Sequence, residues 1–307
     1  MKVVTIQTTW QDEPRHNVTK ALELVESCCI SDSPDIICLP EFFLGPPWYM
    51  PGQSALQGIT DTNIPGKITE QFGALAKKYA VYILLGSMVE SLQNGKYCNT
   101  AVLLNRAGEI AGKAHKVHMF ANETVVCEPG NSIEVINTEF GPIGIAVCSD
   151  FWVPETIRML ALKGAHTIFV PGGSLKQNLD AMVNAIHATA YLNCVNIVYI
   201  STVGEIHGER GGRTITVSFA GTSIIATPEG IIAKAPDNEA STLVAHLSIE
   251  NILKLRAPTY NDDTWKNLLS RAPFSYKKLN EDYVGLGRDL VAETKKSIQQ
   301  TQQIPPP

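Results

Sequence analysis

Strand-like and helix-like hydrophobic patterns alternate along this 307-residue chain from its first residues. Val3 to Thr8 reads as a strand. Val18, Ala21, Leu22, Val25 and Cys28 then recur at helical spacing, which predicts an amphipathic helix over residues 14–29. Asp35 to Pro40 is a short, almost wholly apolar run, of the kind that suits a central strand covered on both faces. Ile68, Phe72, Leu75, Ala76 and Tyr79 predict a second helix over about residues 65–80. One buried strand over 81–90, a turn at Asn94-Gly95 and a strand over 97–105 predict a hairpin-like pair.

The second half repeats the style. Residues 141–148 read as a buried strand, and 154–165 as a helix with Pro154 in its first turn. Strands follow at 166–172, 196–202 and 213–221, then a strand and turn at 223–230 and a strand at 242–248. Helical stretches are predicted at 179–194 and 249–257. Strands interleaved with helices mean an α/β protein. The mixture of hairpins and crossovers favours two stacked sheets with helices outside over a barrel, because eight clean strand–helix units cannot be counted. Residues 1–285 read as one domain. Residues 286–307, polar and then proline-rich, read as a tail or an arm at a subunit interface.

Composition narrows the class. The chain is 44% hydrophobic and 18% charged, with a net charge of −5, which argues against nucleic acid or an anionic membrane as partner. No run is long and apolar enough to span a bilayer, and the first residues do not form a secretory signal. Seven scattered cysteines without a CxxC pair fit free thiols and a cytoplasmic setting.

Three residues stand where strand ends would present them. Cys148 closes a buried strand just before a helix, where surrounding N–H groups would favour a thiolate and, later, an oxyanion. Glu41 follows the apolar run ending in Pro40, at the mouth of a sheet, where a partly desolvated carboxylate suits proton transfer. Lys116 sits in a strand-like segment and could hold a forming oxyanion. Taken singly, each has an ordinary reading: a core cysteine, a loop glutamate, a solvated basic strand. His115 and His118 suggest zinc, but two histidines three apart share a face on a helix, and this run looks extended. No glycine run has the spacing of a phosphate or dinucleotide loop, and no cofactor or metal is called for.

Together, LPEFF around Glu41, KVHMF around Lys116 and GIAVCSDFWVPE around Cys148 resemble the nitrilase superfamily of carbon–nitrogen hydrolases. Their order, and the separations of 75 and 32 residues, are in keeping with that family. Gly86-Ser87 with Tyr97, Asn99 and Thr100 is similar to a family stretch. So are Glu123 before CEPG, and Phe219, Gly221 and Ser223 before PEG. The resemblance covers about residues 1–260. It implies a four-layer α-β-β-α sandwich, a Glu41–Lys116–Cys148 triad with Glu123 orienting Lys116 or substrate, and a homodimer or larger even-numbered homo-oligomer.

Phe151 and Trp152 stand where many amidase-type members carry arginine. Ser149-Asp150 replaces the Trp-Glu usual in nitrile-cleaving members. The pattern is therefore closer to members acting on N-carbamoyl amines and simple amides. The expected activity is hydrolysis of a linear amide or N-carbamoyl amine through a cysteine thioester, releasing ammonia. A nitrilase is the nearest alternative; a non-catalytic binding protein on the same fold and a Cys–His enzyme using His166 or His187 are more distant ones. Trp152, Ser149, Phe42, Trp48 and Asn178 are the candidate substrate-binding residues. Phe43 and Tyr49 share the aromatic loop with Phe42 and Trp48, which could equally pack a subunit interface.

Overall fold

The computed structural model describes residues 1–11, 13–45, 63–120, 123–124, 127–210 and 213–257; the side chains of 208–215 are outside that description. All of these fall in the compact unit Met1–Trp265, and Lys266–Pro307 form a second unit. Trp48, Tyr49 and the segment 286–307 lie outside the described residues.

The first sheet has three parallel strands side by side: β1 (Lys2–Gln7), β2 (Ile36–Cys38) and β3 (Tyr82–Leu84). The links between them carry helix α1 (Pro14–Asp32) and helix α2 (Lys67–Tyr79). β4 (Met88–Ser91), β5 (Tyr97–Leu104) and β6 (Ile110–His115) extend this sheet by antiparallel pairing. The second sheet opens with β7 (Val135–Thr138), antiparallel to β8 (Gly141–Ile145). β8, β9 (Thr167–Gly172) and β10 (Asn196–Ser201) are again parallel, joined through α3 (Pro154–Leu162) and α4 (Leu179–Asn193). β11 (Val203–Arg210) and β12 (Arg213–Ala220) pair as a separate ribbon. β13 (Ile224–Thr227) and β14 (Gly230–Lys234) close the second sheet, and β15 (Ser241–His246) pairs with β1 before α5 (Ile249–Arg256).

Alternation along the strands builds the layers. Val4 and Ile6 of β1 point to one face and pack with Val18, Ala21 and Val25 of α1 and Phe72 and Ala76 of α2. Val3, Ile36 and Leu84 point the other way and meet Ile143, Phe169 and Val198 of the second sheet. The outer face of that sheet, with Ile168 and Ile197, is covered by Ile157 and Leu160 of α3 and Met182 and Ile186 of α4. The result is the expected α-β-β-α sandwich. Each fully buried Leu, Ile or Phe contributes about 1.5–3 kcal/mol, and the three apolar clusters together hold the layers.

Two predicted elements differ. The single strand over 81–90 is two, β3 and β4, pairing with different parts of β5. Gly86 breaks it: its φ is +53°, and a Cβ there would lie 1.9 Å from the carbonyl oxygen of Pro40. The strand predicted over 141–148 stops at Ile145, and Cys148–Trp152 form a one-turn 3₁₀ helix. β7, β11 and β14 were not anticipated.

Candidate active site

Three strand ends converge. Glu41 follows β2, Lys116 follows β6, and Cys148 comes three residues after β8. Parallel strands commonly present their ligand sites beyond their carboxyl ends, as β2 and β8 do here. All three residues line one cavity, together with Glu123.

Lys116 is 1% exposed, so its charge needs partners, and it has two. Its Nζ lies 2.8 Å from Glu41 Oε1 and 2.8 Å from Glu123. Burial opposes the lysine's charge, but Glu41, the Cys148 sulfur and Glu123 outweigh it and hold the ammonium well above its ordinary pKa. Asn99 Nδ2 donates to Glu41 Oε1 at 3.0 Å and to Glu123 Oε1 at 3.3 Å, tying the carboxylates together. Glu123 Oε2 accepts from the Phe120 N–H at 2.7 Å. Burial and the charge of Glu41 push the Glu123 carboxyl up, opposed by Lys116.

Cys148 adopts φ +49°, a left-handed conformation that a side chain other than glycine enters only at a cost of about 1–3 kcal/mol. It is half-buried and packs on the inter-sheet core. Burial first, then the negative charge of Glu41, push the Cys148 thiol far up, and Lys116 and the Gly173 N–H only partly offset them. A thiol pushed upward in this way gives a neighbouring carboxylate a role as proton acceptor during attack.

Asp150 fixes the spacing of the two halves. Its buried carboxylate accepts from the N–H groups of Val117 (3.1 Å), His118 (2.7 Å) and Val147 (3.1 Å), and meets His118 Nδ1 at 2.9 Å. Those residues adjoin Lys116 on one side and Cys148 on the other. Ser149 Oγ adds a bond to the His118 carbonyl. On the Glu41 side, Ser87 Oγ accepts from the Phe42 N–H at 3.1 Å, and Trp10 Nε1 donates to the Phe42 carbonyl at 2.7 Å. His115 and His118 do not converge on a metal. His115 Nε2 meets Glu90 at 3.0 Å while His118 meets Asp150.

Of the candidate substrate-binding residues, Phe42, Ser149, Trp152 and Asn178 line the cavity. Trp48 lies outside the described residues. Phe43 instead packs edge-on against Phe72 in the first helical layer. Trp10, Phe120, Leu175 and Tyr199 were missed. Phe219, noticed only as part of a family stretch, packs edge-on against Trp10 with ring centroids 4.9 Å apart.

A sequence profile of carbon–nitrogen hydrolases matches residues 2–257. The chain belongs to the carbon–nitrogen hydrolase family. This hydrolase is 28% identical over 265 residues to a nitrilase of Pyrococcus abyssi, covering 85% of this chain and 95% of that protein. It is 29% identical over 295 residues to the N-carbamoylputrescine amidase of Arabidopsis thaliana, covering 90% and 94%. Its fold superposes on a carbon–nitrogen hydrolase from Helicobacter pylori G27 with a TM-score of 0.80 at 23% identity, over 91% of this chain and 98% of that one.

Proposed function

We propose that this hydrolase cleaves a linear amide or N-carbamoyl amine through a thioester on Cys148. One observation carries the reading: a buried ammonium held between two carboxylates opens onto the same cavity as the half-buried Cys148. Glu41 accepts the thiol proton as the sulfur attacks the carbonyl carbon. The oxyanion is held by Lys116 and the Ser149 N–H; losing one such donor typically costs about 3 kcal/mol of barrier. The tetrahedral intermediate collapses, its carbon–nitrogen bond breaks, and ammonia leaves with the proton from Glu41. Glu41 then takes a proton from water, which attacks the thioester. The acid departs and the thiol regains its proton. Glu123 keeps Lys116 charged and aimed, and Phe42, Ser149, Trp152 and Asn178 contact substrate.

The relatives include both a nitrilase and an N-carbamoylputrescine amidase, so bond type is the test. Paired amide, carbamoyl and nitrile analogues are supplied and ammonia is measured. Release from amide or carbamoyl substrates, abolished in Glu41→Gln, supports the proposal; turnover of nitriles alone overturns it. A Cys–His enzyme would keep its activity in Glu41→Gln, and a binding protein would show no turnover and no preferred labelling of Cys148.

The same reading takes residues 1–285 as the hydrolase domain, residues 286–307 as a tail, and the working enzyme as a cytoplasmic, even-numbered homo-oligomer. All seven cysteines are free, which fits a reducing compartment. Met159 and Leu162 of α3 and Leu192 of α4 are exposed, which fits a partner copy.

A further inference from the structure

The chemistry of the cavity wall narrows the substrate. Among the described lining residues the charged groups are Glu41, Lys116 and Glu123, and these are already engaged with one another. The polar side chains are largely committed too. Ser149 Oγ bonds the His118 carbonyl, Ser174 Oγ and Tyr199 Oη meet at 2.6 Å, and Trp10 Nε1 is held by the Phe42 carbonyl. Asn178 is exposed. The rest of the described lining is mostly apolar: Trp10, Phe42, Phe120, Trp152, Phe219 and Leu175. Phe120 and Trp152 are 42% and 44% exposed, which places them toward the mouth.

We propose that the part of the substrate carrying the scissile group is uncharged and apolar, and that this cavity rejects amides and carbamoyl compounds bearing a carboxylate or an ammonium there. The inference rests on the amide and carbamoyl reading above. Among the described lining residues a carboxylate finds no unengaged counter-ion: the charged groups there are two carboxyls and one ammonium, already paired with one another. An ammonium would find aromatic faces, but these return less than its desolvation costs, and both carboxylates are occupied by Lys116. An alkyl or aryl chain gains from every ring it covers.

The test compares matched substrates on the purified full chain by ammonia release. Valeramide is set against glutaric acid monoamide and the amino-terminated amide of the same length, and butylurea against N-carbamoylputrescine. The neutral member of each set is expected to show kcat/KM at least about tenfold higher. A charged member that equals or exceeds its neutral partner overturns the proposal. Leu175→Arg places a cation on the wall and is expected to raise the ratio of glutaric monoamide to valeramide turnover about tenfold; an unchanged ratio counts against it. If no member releases ammonia, the amide and carbamoyl reading fails by itself. The wall is then read by protection of Cys148 from iodoacetamide. Stronger protection by butyraldehyde than by succinic semialdehyde supports the neutral wall, and the reverse order refutes it.

Discussion

Replacing Asp150 by Asn tests whether one carboxylate sets the distance between Lys116 and Cys148. In the native protein Oδ1 accepts from Val117 and His118 and meets His118 Nδ1, while Oδ2 accepts from Val147. An asparagine can keep its oxygen toward Val117 and His118, but its NH₂ then faces the Val147 N–H, donor against donor. One buried N–H left without an acceptor costs about 1–3 kcal/mol. The remaining bonds lose their charge assistance, which roughly halves each of them. The sum is about 3–4 kcal/mol. At about 2–4 °C per kcal/mol for a unit of this size, Tm falls by about 10 °C. Val117 and Val147 adjoin Lys116 and Cys148, so their shift misaligns attack and oxyanion binding. A misplacement of about 1 Å can cost about 100-fold, and it falls on kcat more than on KM. Thermal unfolding by circular dichroism, with steady-state kinetics on the folded fraction, reads both. A variant with Tm within about 2 °C of the parent and kcat within about threefold refutes the reasoning.

Other outcomes follow from the same contacts. Glu123→Gln removes one of the two anions on Lys116 and should lower kcat about 10- to 100-fold, or about 1.4–2.8 kcal/mol, in steady-state assays, with Glu41 keeping the lysine in place. Gly86→Ala drives a Cβ into the Pro40 carbonyl behind Glu41, and should cost more than about 3 kcal/mol by denaturant titration. Glu90 is buried, which raises its pKa, but His115, Lys113 and Thr100 together lower it from 4.5 to about 2. Its folded pKa lies below the unfolded one, so its stabilisation, about 3 kcal/mol, is present above pH 4.5 and is lost as pH falls toward 2. The Tm gap between the parent and Glu90→Gln should therefore close over that range. Because the Cys148 thiol is pushed up, its alkylation by iodoacetamide should still be accelerating above pH 9, where an ordinary cysteine levels off.

Much of the site was legible because its chemistry sits at strand ends. Glu41 and Cys148 each follow a short apolar run, and such runs mark central strands even in a single sequence, whereas Lys116 follows the mixed strand IAGKAH and stood out through its motif. The layer order came from the mixture of hairpins and crossovers and from the family resemblance; which face each strand residue takes, Val3 one way and Val4 the other, is seen in the structure. The upward push on the Cys148 thiol was not legible, because the burial and the charge of Glu41 that cause it are tertiary facts. Trp10 and Tyr199 look like ordinary strand-end and strand aromatics, and only the packing of both sheets brings them to one cavity. Asp150 was noticed as a neighbour of the cysteine, but its bonds to Val117 and His118 join segments more than thirty residues apart. The ribbon β11–β12 escaped notice in its first strand because VGEIHGER is charged and glycine-rich.

Acid-quenched mass spectrometry during turnover of a neutral amide bears most directly on the meeting of thiol, carboxyl and ammonium. A gain equal to the acyl group on the peptide containing Cys148 is expected, absent in Cys148→Ala and strongly diminished in Glu41→Gln. Ammonia release that persists in Cys148→Ala, or an acyl group carried by another residue, would contradict it.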